Sequence, residues 1–335
     1  MRQRDRALAC IGAVIGAGFA SGREIVVFFT RYGASSWALI VLTVAAMTAL
    51  CAFVMLRLRG SGKTQWCALY EEQRRWVRLA GQGCLFLLFS LIGGAMLSAG
   101  GELLALLLPF RHAYGLGCGA TLLFAALLSQ RGLKPLSWLS LVLTALLIGA
   151  YVLLLRLDAP PDTVVVREER SLVRGAIGAV AYAGMNLAIG LGVVCECADG
   201  SRRTLCRSSV LFGATMLLLL FLGNALYLRD PGAWQDALPI IPLLAGYGRT
   251  GFLLGAITLY LAMLTSLLAV VRALNDQVKR LPPAPRVALP LLAPLGFSLL
   301  GFQGIVETWY APIGLCCIAL LFLPMLARRR QNVRT

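Results

Sequence analysis

Apolar positions run along this chain in long, nearly unbroken stretches, and short polar segments rich in arginine separate them. Runs of about 20 residues cross roughly 30 Å of hydrocarbon as helices, and lipid accepts only backbone that satisfies its own hydrogen bonds. The pattern predicts spans at about 7–30, 34–57, 81–108, 114–130, 135–155, 172–196, 208–228, 250–273, 287–303 and 305–327. A spanning β-barrel would need segments of about 10 residues alternating in polarity, a pattern the sequence lacks. The expectation is an all-α integral membrane protein of ten helices, with the lipid bilayer as its surroundings.

Composition agrees. Of 335 residues, 59% are hydrophobic and 14% charged, and the mean hydropathy is +0.79, outside the range of ordinary soluble domains. A net charge of +16 would suit nucleic acid if it formed one soluble face, but the basic residues lie between apolar runs, so no nucleic-acid partner is expected. With the N-terminus inside, the inner segments collect most of the Lys and Arg, among them Arg2, Arg4, Arg6, Arg202, Arg203, Arg207, Arg328, Arg329 and Arg330. The positive-inside rule then puts both termini in the cytoplasm and the protein in the cytoplasmic (inner) membrane. The opening "MRQRDRALACIGAV" mimics a signal peptide, but Cys10 comes too early to leave an apolar core before it, so the first helix is expected to stay. The ten cysteines fall mostly within spans or on the inner side and read as small buried hydrophobes. Cys195-x-Cys197 is too short and isolated for zinc, so no metal and no disulfide framework are expected.

Ten spans divide into five and five, residues 1–156 and 157–335, the second half ending in a basic tail. Two like-folded halves with an odd number of spans must enter the membrane in opposite directions. Secondary transporters use such inverted repeats and bind solutes at the midplane, beside Gly-interrupted helices at matching positions of the halves. Span 1 carries "GAVIGAGFASGREI" and span 6 "GAIGAVAYAGMNLAIGLG". Close helix packing is the competing use of such glycines. In span 1, "SGRE" at 21–24 fits a capping box in which Ser21 caps a new helix and Glu24 returns to the cap's amide. A restart there would turn amides and a positive dipole end toward an anion, and the carbonyls around 13–17 toward a cation.

"GAVIGAGFASGREIVVFFTRYG" resembles the opening of the YkvI-type membrane proteins, with "YAGMN" at 182–186 and "ALPIIPLLAGYG" at 237–248 as weaker echoes. That group is similar to the amino acid–polyamine–organocation superfamily, whose members share the five-plus-five LeuT-like fold. The resemblance implies that span 1 unwinds near 16–22 and span 6 near 182–186. It implies a substrate site built from Gly16, Ala17, Gly18, Phe19, Ser21 and Gly22, with Ser98 of span 3 and Tyr182 and Asn186 of span 6. It also implies a sodium site where Thr265 and Ser266 of span 8 meet the carbonyls of Ala13 and Gly16; such hydroxyls suit a hard cation, although they more often bond their own helix. Lys134, at the edge of span 5, is too peripheral to replace the ion.

Charges inside spans cost several kcal/mol each and default to paired or functional roles. Arg23, Glu24 and Glu102 fall in the outer half and Glu307 near the outer start of span 10. The resemblance implies an outer gate of Arg23 with Glu307, or of Arg23 with Glu102; a static ion pair fixing helix register is the plain alternative. Glu24 reads as a cap, or as a carboxylate for a proton or an amine. Glu196 reads as a solvated helix-end charge, and His112 as a loop histidine. No Gly-x-Ser-x-Gly, His-Glu-x-x-His or phosphate loop occurs, so the protein is not expected to be an enzyme. The expected function is alternating-access transport of a small organic solute, an amino acid or related zwitterion, coupled to Na⁺ or H⁺ and without a cofactor. The alternative is a nutrient sensor that keeps the transporter fold.

Overall fold

The computed structural model describes residues 3–14, 17–59, 73–108, 110–129, 136–156, 169, 171–246, 248–279 and 281–327, and these are almost entirely helical. Span 1 is three pieces, α1 (Gln3–Val14), α2 (Ala17–Ser21) and α3 (Arg23–Phe28), followed by a 3₁₀ turn at Thr30–Ser35. Then come α4 (Ser36–Leu58), α5 (Arg75–Leu107), α6 (Ala113–Ser129) and α7 (Leu136–Leu154). Span 6 is α8 (Leu172–Ile189) and α9 (Leu191–Glu196), and α10 (Arg202–Arg229) follows. A 3₁₀ turn at Pro231–Gln235 leads through α11 (Ile240–Ala245) to α12 (Gly248–Val278) and α13 (Pro283–Ser298). The last rod joins α14 (Phe302–Gly304), α15 (Tyr310–Cys317) and α16 (Leu323–Ala327) through two π turns. Among the described residues, six helical stretches are long and apolar enough to cross a membrane on their own.

α5 is the central rod: 83% of its apolar stretch is buried, against α6, α12 and α13. Its sequence explains why. Gly93 and Gly94 let Pro294 and Phe297 of α13 approach, and Gly100 and Gly101 do the same for Thr121, Cys118 and Tyr114 of α6. Small residues at a crossing bring backbones together where lipid supplies no hydrophobic drive between helices. The outward faces are as apolar as the core, with Leu123, Phe124 and Leu127 on α6 and Leu254 and Ile257 on α12 exposed. In water such surfaces would associate; here they read as lipid-facing.

α8 packs on α15 by the same device. Gly184 faces Ile318 and the carbonyl of Gly314, while Gly314 lies on the Ala181 backbone. Gly314→Ala is expected to cost about 1–3 kcal/mol, because its Cβ meets backbone that no rotamer change can move. Gly304→Ala, with open space around it, is expected to be neutral or slightly stabilising; thermal unfolding of the two purified variants checks the pair.

Candidate functional site

The break in span 1 lies at Gly22. Its φ of 84° is left-handed, a conformation glycine adopts freely and other residues do not. Gly22 ends α2, its N–H bonding the Phe19 carbonyl at 3.2 Å, and starts α3, its carbonyl accepting from Val26 N at 3.1 Å. A side chain there would overlap the Tyr227 ring. Of the expected unwinding over 16–22, residues 17–21 are helical, Gly22 is left-handed, and Gly16 lies outside the described residues. The expected capping box does not form either. The N-cap of α3 is Gly22, with no side-chain cap; Ser21 Oγ accepts from Arg23 N at 3.2 Å, and the Glu24 carboxylate turns to Tyr182. A left-handed glycine supplies the reversal that a capping side chain would otherwise have to organise.

Span 6 is interrupted at Gly190, not at 182–186. α8 continues unbroken through Tyr182 and Asn186, and at Gly190 the backbone N–H reaches back to the Asn186 carbonyl at 3.2 Å. The reason lies in Gly184, whose missing side chain serves the α8–α15 contact rather than a hinge. Gly190 faces Val14 and Ala13, so the end of α1 lies against the joint of span 6.

Arg23 and Glu24 are neighbours that point to different partners. Arg23, 4% exposed, pairs with Glu307, which is 40% exposed. Its guanidinium also donates to the Trp234 carbonyl and, at 3.1 Å, to that of Asp236. The 3₁₀ turn carrying Trp234 is anchored in turn by the indole N–H donating to Tyr227 O at 2.7 Å. Partial burial raises the Asp236 carboxyl above the ordinary aspartate range, against the pull of Arg23. Glu24, 7% exposed, accepts from the Tyr182 hydroxyl at 2.9 Å. The Tyr182 ring lies 4.9 Å from Phe28 and edge-on to Phe29 at 5.3 Å, so an aromatic cluster ties α3 to α8. Phe19 is buried, and its carbonyl accepts from Tyr151 at 3.2 Å, tying α2 to α7.

The structure thus brings Phe19, Ser21, Gly22, Arg23, Glu24, Tyr182 and Glu307 into one region, and it packs α2, the helix that holds Ala17 and Gly18, on α12. Other expected residues are engaged elsewhere. Ser98 hydrogen-bonds Tyr114, which donates to the Ser298 carbonyl, so it serves the α5–α6–α13 packing. Glu102 follows Gly101 on α5 and is half-buried, and the partner of Arg23 is Glu307. Asn186 donates to the Tyr182 carbonyl within α8 at 2.9 Å. Thr265 and Ser266 both donate to the Ala262 carbonyl at 2.9 Å. Glu196 and His112 are exposed. Among the described residues no group of three or more His, Cys, Asp or Glu is placed to hold a metal. Tyr151, Tyr227 and the 231–236 turn were not foreseen: packing tyrosines look like any other, and the turn contributes backbone carbonyls, which leave no mark in sequence.

No protein-family model matches the chain. Over 352 aligned residues it is 24% identical to the uncharacterized membrane protein YkvI of Bacillus subtilis (strain 168), covering 98% of this chain and 97% of that one. A mutant of the Eremococcus coleocola manganese transporter superposes with a TM-score of 0.68 at 13% identity, over 97% of this chain and 78% of that chain. The fold is LeuT-like. MhsT in complex with L-phenylalanine shares the LeuT-like fold at a TM-score of 0.63 and 15% identity, over 96% and 86% of the two chains. Mhp1 in its inward-facing conformation follows at 0.62 and 14%, over 95% and 73%. The similarity to YkvI runs the length of the chain.

Proposed function

We propose that this protein is a secondary transporter of a small organic solute, an amino acid or related zwitterion, working by alternating access in the cytoplasmic membrane with both termini in the cytoplasm. The observation that carries the reading is the pair of interrupted helices: span 1 broken at Gly22 and span 6 at Gly190, both in the interior of a fold whose solved examples include transporters. Interrupted helices in lipid are tolerated where they line a cavity, and transporters place their solute there. In this reading residues 1–156 and 157–335 are the two inverted repeats, and Arg23 with Glu307 latches the outer side. An organic solute is favoured over a metal because the region offers aromatic rings, and among the described residues no group of three or more His, Cys, Asp or Glu is placed to hold an ion.

Purified protein in proteoliposomes is expected to show counterflow of at least one amino acid or related zwitterion, and accumulation driven by a Na⁺ or pH gradient. Absence of both across a broad solute panel sinks the reading. The Na⁺ form assigns the ion to Ala13, Gly16, Thr265 and Ser266 and requires both hydroxyls to turn from Ala262. It predicts that replacing both with Ala abolishes any stabilisation by NaCl over KCl in thermal unfolding; an unchanged difference removes them from the ion site.

A further inference from the structure

A buried carboxylate is costly, and the structure shows how little offsets the cost at Glu24. Desolvating an ion costs more than a single hydrogen bond to it returns. Among the described residues the Glu24 carboxylate has one partner, the Tyr182 hydroxyl. The nearest cation in sequence, Arg23, is turned to Glu307 and two carbonyls. Arg31, in the following turn, lies over the Tyr32 ring. Among the described residues the other titratable groups facing this region are hydroxyls: Tyr182 from α8, Tyr310 from α15, Tyr151 from α7 and Tyr227 from α10, all buried. The single histidine, His112, is in an exposed loop.

We infer that Glu24 is the proton-binding residue of the transport cycle, with Tyr182 as its positioning residue; this rests on the transporter reading and names its coupling ion as H⁺. Whatever neutralises Glu24 must be small enough for the packed rings of Tyr182, Phe28 and Phe29 around it. A metal ion wants several oxygen ligands; a proton needs one. A proton from the aqueous side bonds to a Glu24 oxygen, and the same O–H bond breaks toward the other side once the region reopens. Because the Tyr182 hydroxyl bridges α8 to α3, gain or loss of the proton changes the bond that ties the two interrupted helices together.

Infrared difference spectroscopy of the full-length protein in lipid nanodiscs, between mildly acidic and mildly alkaline buffer, reads this without any solute. Beyond what Asp236 and the surface acids contribute, the wild type is expected to show a carboxylic-acid C=O band exchanging for a carboxylate band, together with a tyrosine ring signal. Glu24→Gln should lose all three. Tyr182→Phe should keep the carboxyl exchange with its frequency shifted and lose the tyrosine signal. A Glu24→Gln spectrum identical to wild type, or a wild-type Glu24 that never protonates over the range, overturns the inference; an unshifted band in Tyr182→Phe removes Tyr182 from it. Counterflow by the wild type, measured separately, tests the transporter reading, so a protonating Glu24 in a protein that moves no solute would fail that reading alone.

Discussion

Gly22→Ala is expected to disable the protein although it adds one methyl group. A φ of 84° costs an L-residue about 1–2 kcal/mol, and the new Cβ overlaps the Tyr227 ring. That ring cannot yield easily: it is fully buried, stands edge-on to Tyr151 at 6.4 Å, and its own carbonyl holds the Trp234 indole. Overpacking of this kind adds about 1–3 kcal/mol, for a total of about 2–5 kcal/mol. Thermal unfolding of the purified variant should show a clear drop, and counterflow should fall with it. A Gly22→Ala/Tyr227→Ala double variant, compared with Tyr227→Ala alone, separates the two costs: without the ring only the backbone penalty should remain. Wild-type stability in Gly22→Ala would rule out a left-handed break at this position.

The helices and the Gly22 region were legible in the sequence because both rest on local signals, hydropathy for the one and a glycine between polar residues inside an apolar run for the other. What the sequence could not rank was the use of each glycine. Gly184 and Gly190 sit six positions apart in "GMNLAIG", yet one admits a neighbouring helix and the other bends its own; only the position of Ile318 and Gly314 decides between them. The hydroxyls show a similar limit. Thr265 and Ser266 sit on the helix that packs on α2, but both donate to Ala262, the ordinary fate of a hydroxyl in a membrane helix. Arg23 was legible as a charge that must be paired, because burial without a partner is prohibitive. Its two carbonyl acceptors came from a turn whose sequence reads as ordinary loop.

The asymmetry of the Arg23–Glu307 pair leads to the second large effect. Glu307→Ala leaves the guanidinium buried with two carbonyls and no counter-charge. Breaking a buried pair costs about 3–5 kcal/mol, but Glu307 is 40% exposed, so solvent screening reduces the expected loss to about 1–3 kcal/mol. Adding Arg23→Met should then recover stability, because it removes the unpaired charge and lets the long apolar side chain stay in place; the double variant should unfold at a higher temperature than Glu307→Ala. A purely additive outcome would mean that the pair contributes nothing specific. The functional role reads out differently. If the pair latches the outer side, both single variants should speed hydrogen exchange at 19–29 and in the 231–236 turn, and should alter the counterflow rate. A pair that only fixes helix register would change unfolding temperature and leave the local exchange pattern intact, because no closed state would then depend on it.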